Sequence, residues 1–408
     1  MHKKPQLRDA VIVDYLRSPF SRSRPNDPDR DVFNKLRMDD IAVSLVKELI
    51  KRTKVKPEDI NEILTATAMP WGENNTMGGR QIVFLAELPF SISTQAVERQ
   101  CGSSMSTIHL AAMEIMLGYA DINISVGIEH MTHHPLPGPG VDISKVPITP
   151  NTKLMQEPIF SRCDFMTTMS MGLTAEKLLS QTTFTREEMD KWALRSQQRA
   201  AKADNEGFFK GEIMPVEVIL PDGTKQVIEH DVGIRPETTL EGLAALKPAF
   251  KPGGQITAGN SSPTNAGATI MMLMSREKAR EYGLKPLASI VSMGWAGVDP
   301  SIMGLGPVPA SRHALKNAGM DVKDIDFWEI NEAFAIVTLN AMRELSIDPE
   351  KVNVKGGAVA IGHPLGATGN RLVGTLARIL NLEGGTYGLA SPCCGGGQGV
   401  ATIIKREE

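Results

Sequence analysis

Apolar positions recur along this chain at two different spacings. Ala10–Val13 is an unbroken apolar run, as a buried strand requires. Asp39–Lys51 carries Ile41, Val43, Leu45, Val46, Leu49 and Ile50, which predicts an amphipathic helix opened by an Asp cap. Ile60–Ala66 and Ser93–Ala96 are predicted extended. Ser103–Leu117 places Met105, Ile108, Ala112, Ile115 and Met116 largely on one helical face, with Gly118 as its stop. Ile122–Val126 is predicted as another buried strand. This strand–helix–strand alternation predicts an α/β protein, a parallel or mixed sheet covered by helices.

Between about Glu129 and Lys251 the texture changes. Pro135-Leu136-Pro137-Gly138-Pro139-Gly140 is loop, Thr185–Lys202 a charged helix, and Asp222-Gly223 a hairpin turn. This stretch is predicted to be an insertion or cap on a layered core. After Pro286 the α/β rhythm resumes, with a strand at Phe327–Ile330 and an internal echo: Val55–Ile63 resembles Val322–Ile330 with a one-residue offset. Two similar halves would place a site at their seam.

Composition narrows the function classes. A chain of 408 residues fits two or three domains, and 41% hydrophobic with 22% charged residues is the balance of a soluble globular protein. A formal charge of −3 gives no reason to expect nucleic acid or an anionic membrane as partner. There is no run of 18 apolar residues, and Met1-His2-Lys3-Lys4-Pro5 lacks the apolar stretch of a signal peptide. Four cysteines (Cys101, Cys163, Cys393, Cys394) are too few and too unevenly spaced for a disulfide framework or a zinc knuckle, so a reducing cytoplasm is expected.

Four short segments carry candidate chemistry. Cys101, in Gln100-Cys101-Gly102-Ser103-Ser104, precedes a predicted helix whose N-terminus favours a thiolate, and Gly102 would permit a tight turn. A buried structural cysteine is the competing explanation. His363 stands in Gly362-His363-Pro364-Leu365-Gly366, where it could serve as a base or an oxyanion donor, or merely cap a turn. Cys393-Cys394-Gly395-Gly396-Gly397 lacks the Lys-Ser/Thr of a phosphate loop and fits a thiol beside free backbone N–H groups. Asn331, before Glu332-Ala333-Phe334, could orient a water or a carbonyl, or act as a plain helix cap. Metal ligation by His130, His133 and His134 is not expected. No carboxylate or thiol sits at ligand spacing nearby, and the stretch runs into a Pro-rich loop.

Taken together and in this order, Cys-Gly-Ser-Ser, Asn-Glu-Ala-Phe, Gly-His-Pro-Leu-Gly and Cys-x-Gly-Gly-Gly resemble the thiolase family, over nearly the whole chain from Ala10 to Ile404. Met171–Glu176, Thr257–Ser262 and Val308–Ala310 are further matches. The resemblance implies a thiolase-like fold of two related α-β-α-β-α layered halves, 8–276 and 284–406, with a loop domain inserted at about 129–251. It implies that Cys101 is the acylated nucleophile, that His363 deprotonates it and later coenzyme A, and that Cys393 is the acid/base at the α-carbon. Asn331 would hold a water that forms one oxyanion hole with His363. The backbone N–H groups of Cys101 and Gly395 would form the other. Ser262, Ala258 and Gly259 would contact the coenzyme, and Met171 and Phe334 would wall the pocket.

The implied activity is coenzyme A-dependent cleavage of 3-ketoacyl-CoA, as in fatty acid degradation, without a permanently bound cofactor. The implied assembly is a homodimer or homotetramer, which could dock on a hydratase/dehydrogenase subunit. Three alternatives stand beside this. One is a biosynthetic acetyl-CoA acetyltransferase, another a condensing synthase with no need of Cys393, and the third a non-catalytic acyl-CoA or lipid-binding scaffold. The chain departs from the family pattern at Cys394, where an aliphatic residue is usual, and at Ala266, where an Asp is usual. Ser104 in place of glycine leans toward the degradative branch.

Overall fold

The computed structural model describes residues 7–136 and 151–407. The predicted loop at 135–140 therefore lies mostly outside the described residues. In the first half, β1 (Ala10–Arg17), β2 (Glu62–Ala66), β3 (Ser93–Val97) and β4 (Ile122–His130) precede a small hairpin, β5 (Val216–Ile219) and β6 (Lys225–Ile228), and then β7 (Ala266–Ser275). The second half supplies β8 (Ala288–Gly297), β9 (Phe327–Ile330), β10 (Tyr387–Ser391), the two-residue β11 (Cys393–Cys394) and β12 (Gln398–Arg406).

Apart from the hairpin these strands form one ten-stranded sheet in the order β3-β2-β4-β7-β1-β8-β12-β10-β9, with β11 paired to β12. The order repeats itself. In both halves a parallel pair (β2 with β4, β9 with β10) is followed by an antiparallel strand (β7, β12) and then by the half's opening strand (β1, β8). The sequence echo falls on equivalent places, since short 3-10 turns at Pro57–Asp59 and Val322–Asp324 lead into β2 and β9. The halves meet where Val11 and Ile12 pair with Ser289 and Ala288.

Helices occupy three levels. Met38–Thr53 covers the outer face of the first half and Pro307–Ala318 that of the second, while Ser103–Leu117 and Thr368–Glu383 pack on each other between them. Met105, Ile108, Leu372 and Val373 fill that central layer with no exposed surface, each such burial contributing about 1.5–3 kcal/mol. The contact is close enough that a Cβ on Gly369 would lie 2.1 Å from the Met105 backbone nitrogen.

Two local expectations change. Asp39 does not cap its helix, which begins at Met38 after Arg37; its carboxylate instead accepts from the Arg37 guanidinium at 2.7 Å. Asn331 is no helix cap either, because the helix starts at Ala335 behind an extended Phe334. The charged helix is found at Arg186–Asn205, opened by a Thr185–Glu188 capping box. The hairpin turn is found at Gly223, with φ +86°. Residues between β4 and β7 dock through buried charges. Arg17 of β1 meets Glu212 at 2.8 Å and Asp231 at 2.7 Å, all three side chains inaccessible to solvent, and the two carboxylates hold its charge firmly against burial.

Candidate active site

The segment ahead of the central helix of the first half is a 3-10 turn, Gln100–Gly102, running directly into Ser103–Leu117. The left-handed residue here is Gln100, with φ +48°, and not Gly102, the residue expected to relax the turn. Gly102 is needed for proximity instead: a Cβ there would lie 2.6 Å from Cys394 Sγ and 2.9 Å from a Val400 methyl. Cys101 is buried, and burial pushes its thiol up to about 12, partly offset by the Gly395 N–H that donates to its sulfur. Desolvation thus favours the neutral thiol at rest.

An imidazole stands in the matching segment of the second half. Gly362, with φ +115°, lets the chain pass so near Asn265 that any Cβ would strike its amide at 2.7 Å. The Asn265 Oδ1 then accepts the backbone N–H of His363 at 2.7 Å. Thr368 Oγ1 donates to the Pro364 carbonyl at 2.9 Å, so toward His363 Nδ1, 2.7 Å away, it can only accept. Nδ1 therefore carries the proton and Nε2 is the basic nitrogen. Burial, with the charge of Arg371 behind it, lowers His363 to about 3 and keeps the ring neutral, hence able to take a proton.

Asn331 follows β9 and is fully buried, its Nδ2 3.3 Å from His363 Nε2. Its Oδ1 has no partner among the described residues, an arrangement suited to holding a water. The neighbouring Glu332 fixes this loop by accepting from Trp192 at 2.9 Å, Ser196 at 2.6 Å and Asn353 at 2.8 Å. Cys393 and Cys394 point to opposite faces of β11, and both are buried with thiols pushed well up, chiefly by desolvation.

Cys101 and His363 border one cavity of about 220 Å³ with mostly apolar walls. Met171, Phe334 and Ser262 also line it, so five of the singled-out residues share one cavity wall. Asn331, Cys393 and Gly395 do not border it, Ala258 is exposed, and neither Ala258 nor Gly259 borders the cavity. The Ser262 hydroxyl is directed at the Ala333 carbonyl, 3.2 Å away. Ala266 opens β7 opposite His130 and is fully buried.

The descriptions "Thiolase, N-terminal domain" and "Thiolase, C-terminal domain" match residues 10–277 and 284–406. The chain belongs to the thiolase family. This thiolase is 41% identical over 404 residues to a 3-ketoacyl-CoA thiolase of Marinobacter nauticus, spanning 98% of both chains. It is 42% identical to one of Saccharophagus degradans, spanning 98% and 99%. Among solved structures it resembles the Bacillus anthracis acetyl-CoA acetyltransferase (TM-score 0.86, 36% identity, 98% and 100% covered). Human mitochondrial 3-ketoacyl-CoA thiolase is equally similar (TM-score 0.86, 35% identity, 99% and 100% covered), and that enzyme is also known in complex with CoA. The thiolase fold and the acyltransferase class follow for this chain.

Several site residues of this thiolase carry no signal in the sequence. Asn265 stands out only through the Ala266 beside it, and Thr368 lies five residues after His363 without a motif of its own. Glu129, the penultimate residue of β4, accepts from Thr67, Ala68, Asn74 and Gly366 at 2.8–2.9 Å and so anchors the His363 loop to the first half. Burial raises this carboxyl to about 7 against those hydrogen bonds. Phe250 and Met303 complete the apolar wall. Nothing in local spacing distinguishes these from ordinary core residues.

Proposed function

We propose that this thiolase cleaves 3-ketoacyl-CoA with coenzyme A, giving acetyl-CoA and an acyl-CoA two carbons shorter. The observation that carries the proposal is a neutral thiol and a neutral imidazole with a bare Nε2 on one apolar cavity. His363 takes the Cys101 proton as the sulfur adds to the 3-keto carbon. The resulting alkoxide is held by the N–H groups of Cys101 and Gly395. Collapse breaks the C2–C3 bond, leaving the acyl group on Cys101 and a thioester enolate that His363 and an Asn331-held water stabilise. Cys393 protonates the enolate carbon to release acetyl-CoA, and the proton on His363 restores Cys393. His363 then deprotonates coenzyme A, whose sulfur takes the acyl group while Cys101 regains its proton. Two thiols have distinct tasks because two different atoms exchange protons.

Coenzyme A is thus co-substrate, and Ser262 with the neighbouring Ala258 and Gly259 would meet its arm. A cytoplasmic homodimer belongs to the same proposal. Among the described residues β3 pairs only with β2, and its outer edge would take a second copy, which equilibrium sedimentation would detect. The decisive assay mixes the protein with coenzyme A and 3-ketoacyl-CoA esters of several chain lengths. Loss of the ketoester absorbance with chain-shortened products is expected. Turnover of acetoacetyl-CoA alone would support the acetyl-CoA acetyltransferase alternative, and no turnover of any ester would refute both.

A further inference from the structure

His130 ends β4, and His133 and His134 follow in the next turn. None of the three borders the acyl-transfer cavity, although Met131 between them does. The rings of His130 and His133 stack, their centroids 3.6 Å apart and their planes 10° from parallel. Their Nε2 atoms reach consecutive carbonyls, Phe33 at 3.2 Å and Asn34 at 2.8 Å. A carbonyl only accepts, so both Nε2 atoms carry protons, and in the neutral rings both Nδ1 atoms are bare. Nδ1 of His133 lies 2.8 Å from Glu73 Oε1. Nδ1 of His130, in a ring with no exposed surface, has no partner among the described residues. One donor atom from each of Glu73, His130 and His133 lies within 4.8 Å of the others.

Two arrangements satisfy Glu73. In the first, a proton on His133 Nδ1 makes an imidazolium–carboxylate pair. Burial opposes that charge, but the hydrogen bond and charge of Glu73 raise His133 nonetheless. This leaves His130 Nδ1 buried and idle beneath a cation. In the second, a divalent ion replaces the proton and uses both Nδ1 atoms.

We infer that Glu73, His130 and His133 form a binding site for zinc, separate from the acyl-transfer cavity. Imidazole nitrogens with a carboxylate are a donor set suited to this ion, and three protein donors leave a fourth tetrahedral position for water. Each imidazole has its second nitrogen already oriented by a backbone carbonyl, the support that ligating histidines use. One ion in line with both lone pairs requires the stacked rings to tilt toward each other. The opposing charge is Arg37, 3.8 Å from Glu73 Oε2, but that guanidinium is half exposed and already paired with Asp39 at 2.7 Å. The ion would tie the turn Gly72–Asn74 to the end of β4. Asn74 donates to Glu129, which in turn holds the Gly366 N–H, so the ion's effect is structural support beneath the His363 loop.

The test titrates Zn²⁺ alone into the full-length protein after chelator treatment, by calorimetry, alongside Glu73→Gln, His133→Asn and Cys101→Ser. About one zinc per chain is expected, bound at least about tenfold more weakly in Glu73→Gln with an unchanged far-ultraviolet circular dichroism spectrum, and undiminished in Cys101→Ser. Cobalt in place of zinc should give visible d–d bands without a thiolate charge-transfer band. Absence of binding overturns the proposal. So does zinc binding that survives in His133→Asn, or that disappears in Cys101→Ser, either of which would place the ion elsewhere.

Discussion

In the first half of this thiolase the chain runs into its central helix, Ser103–Leu117, through Gln100–Gly102 and leaves a thiol there. In the second half it runs into the equivalent helix, Thr368–Glu383, through Gly362–Ala367 and leaves an imidazole. The strand order around these two helix starts is the same, yet their electrostatics differ. Burial drives the Cys101 thiol up and the His363 imidazole down, so each is neutral at rest. Two equivalent helix starts thus face one cavity, and single positions give one a thiol and the other an imidazole. For the thiol, desolvation of a buried sulfur is the largest influence on its protonation.

Removing one thiol from each half in turn breaks the comparison most sharply. Cys101→Ser should lower thiolysis by about 10³-fold or more and abolish the acyl-enzyme seen by mass spectrometry. Cys393→Ser should slow turnover comparably while the acyl-enzyme can still be trapped from acyl-CoA. Equal loss of labelling in both variants would show that the thiols are not divided by task.

A second measurement concerns the neutral resting pair. With Cys101 near 12, its alkylation by iodoacetamide should rise about tenfold per pH unit from 7 to 10 without levelling. A plateau near pH 7 would mean that the helix terminus prevails over burial. Because His363 is held near 3, its protonation should not limit the activity above about pH 5. The sign for stability is the usual one for a buried neutral histidine: the folded state resists the proton, so stability falls as pH drops below the unfolded value of about 6.5.

The smallest expected effect lies at the contact between the two central helices. Gly369→Ala introduces a Cβ 2.1 Å from Met105 and should reduce stability by about 1–3 kcal/mol in denaturant unfolding. An unchanged midpoint would mean that the helices can separate without loss.

Much of the layered core is legible in the sequence because apolar spacing reports directly which face of an element is buried. The strand Phe327–Ile330 and the central helix Ser103–Leu117, with Gly118 as its left-handed stop, have the bounds that their spacing predicts. The echo before β2 and β9 is legible for the same reason. Capping is less so: Asp39 and Asn331 are both good cap residues, but Asp39 is drawn to Arg37 two positions before it and Asn331 to the distant His363 loop. Thr368 and Glu129 carry no local mark, and Asn265 only the Ala266 beside it.

The sequence by itself therefore determined the α/β class, several strands and helices of the first half, the strand Phe327–Ile330 and the four chemistry-bearing segments, since these depend on local spacing and on motif order. Only the tertiary structure decided the states of those groups. It buried Cys101, set Thr368 Oγ1 against Nδ1 of His363, and carried Glu73 to His133 from 60 positions away. Protonation and ligation depend on solvent exclusion and on partners distant in the chain, and neither is written in the spacing of neighbouring residues.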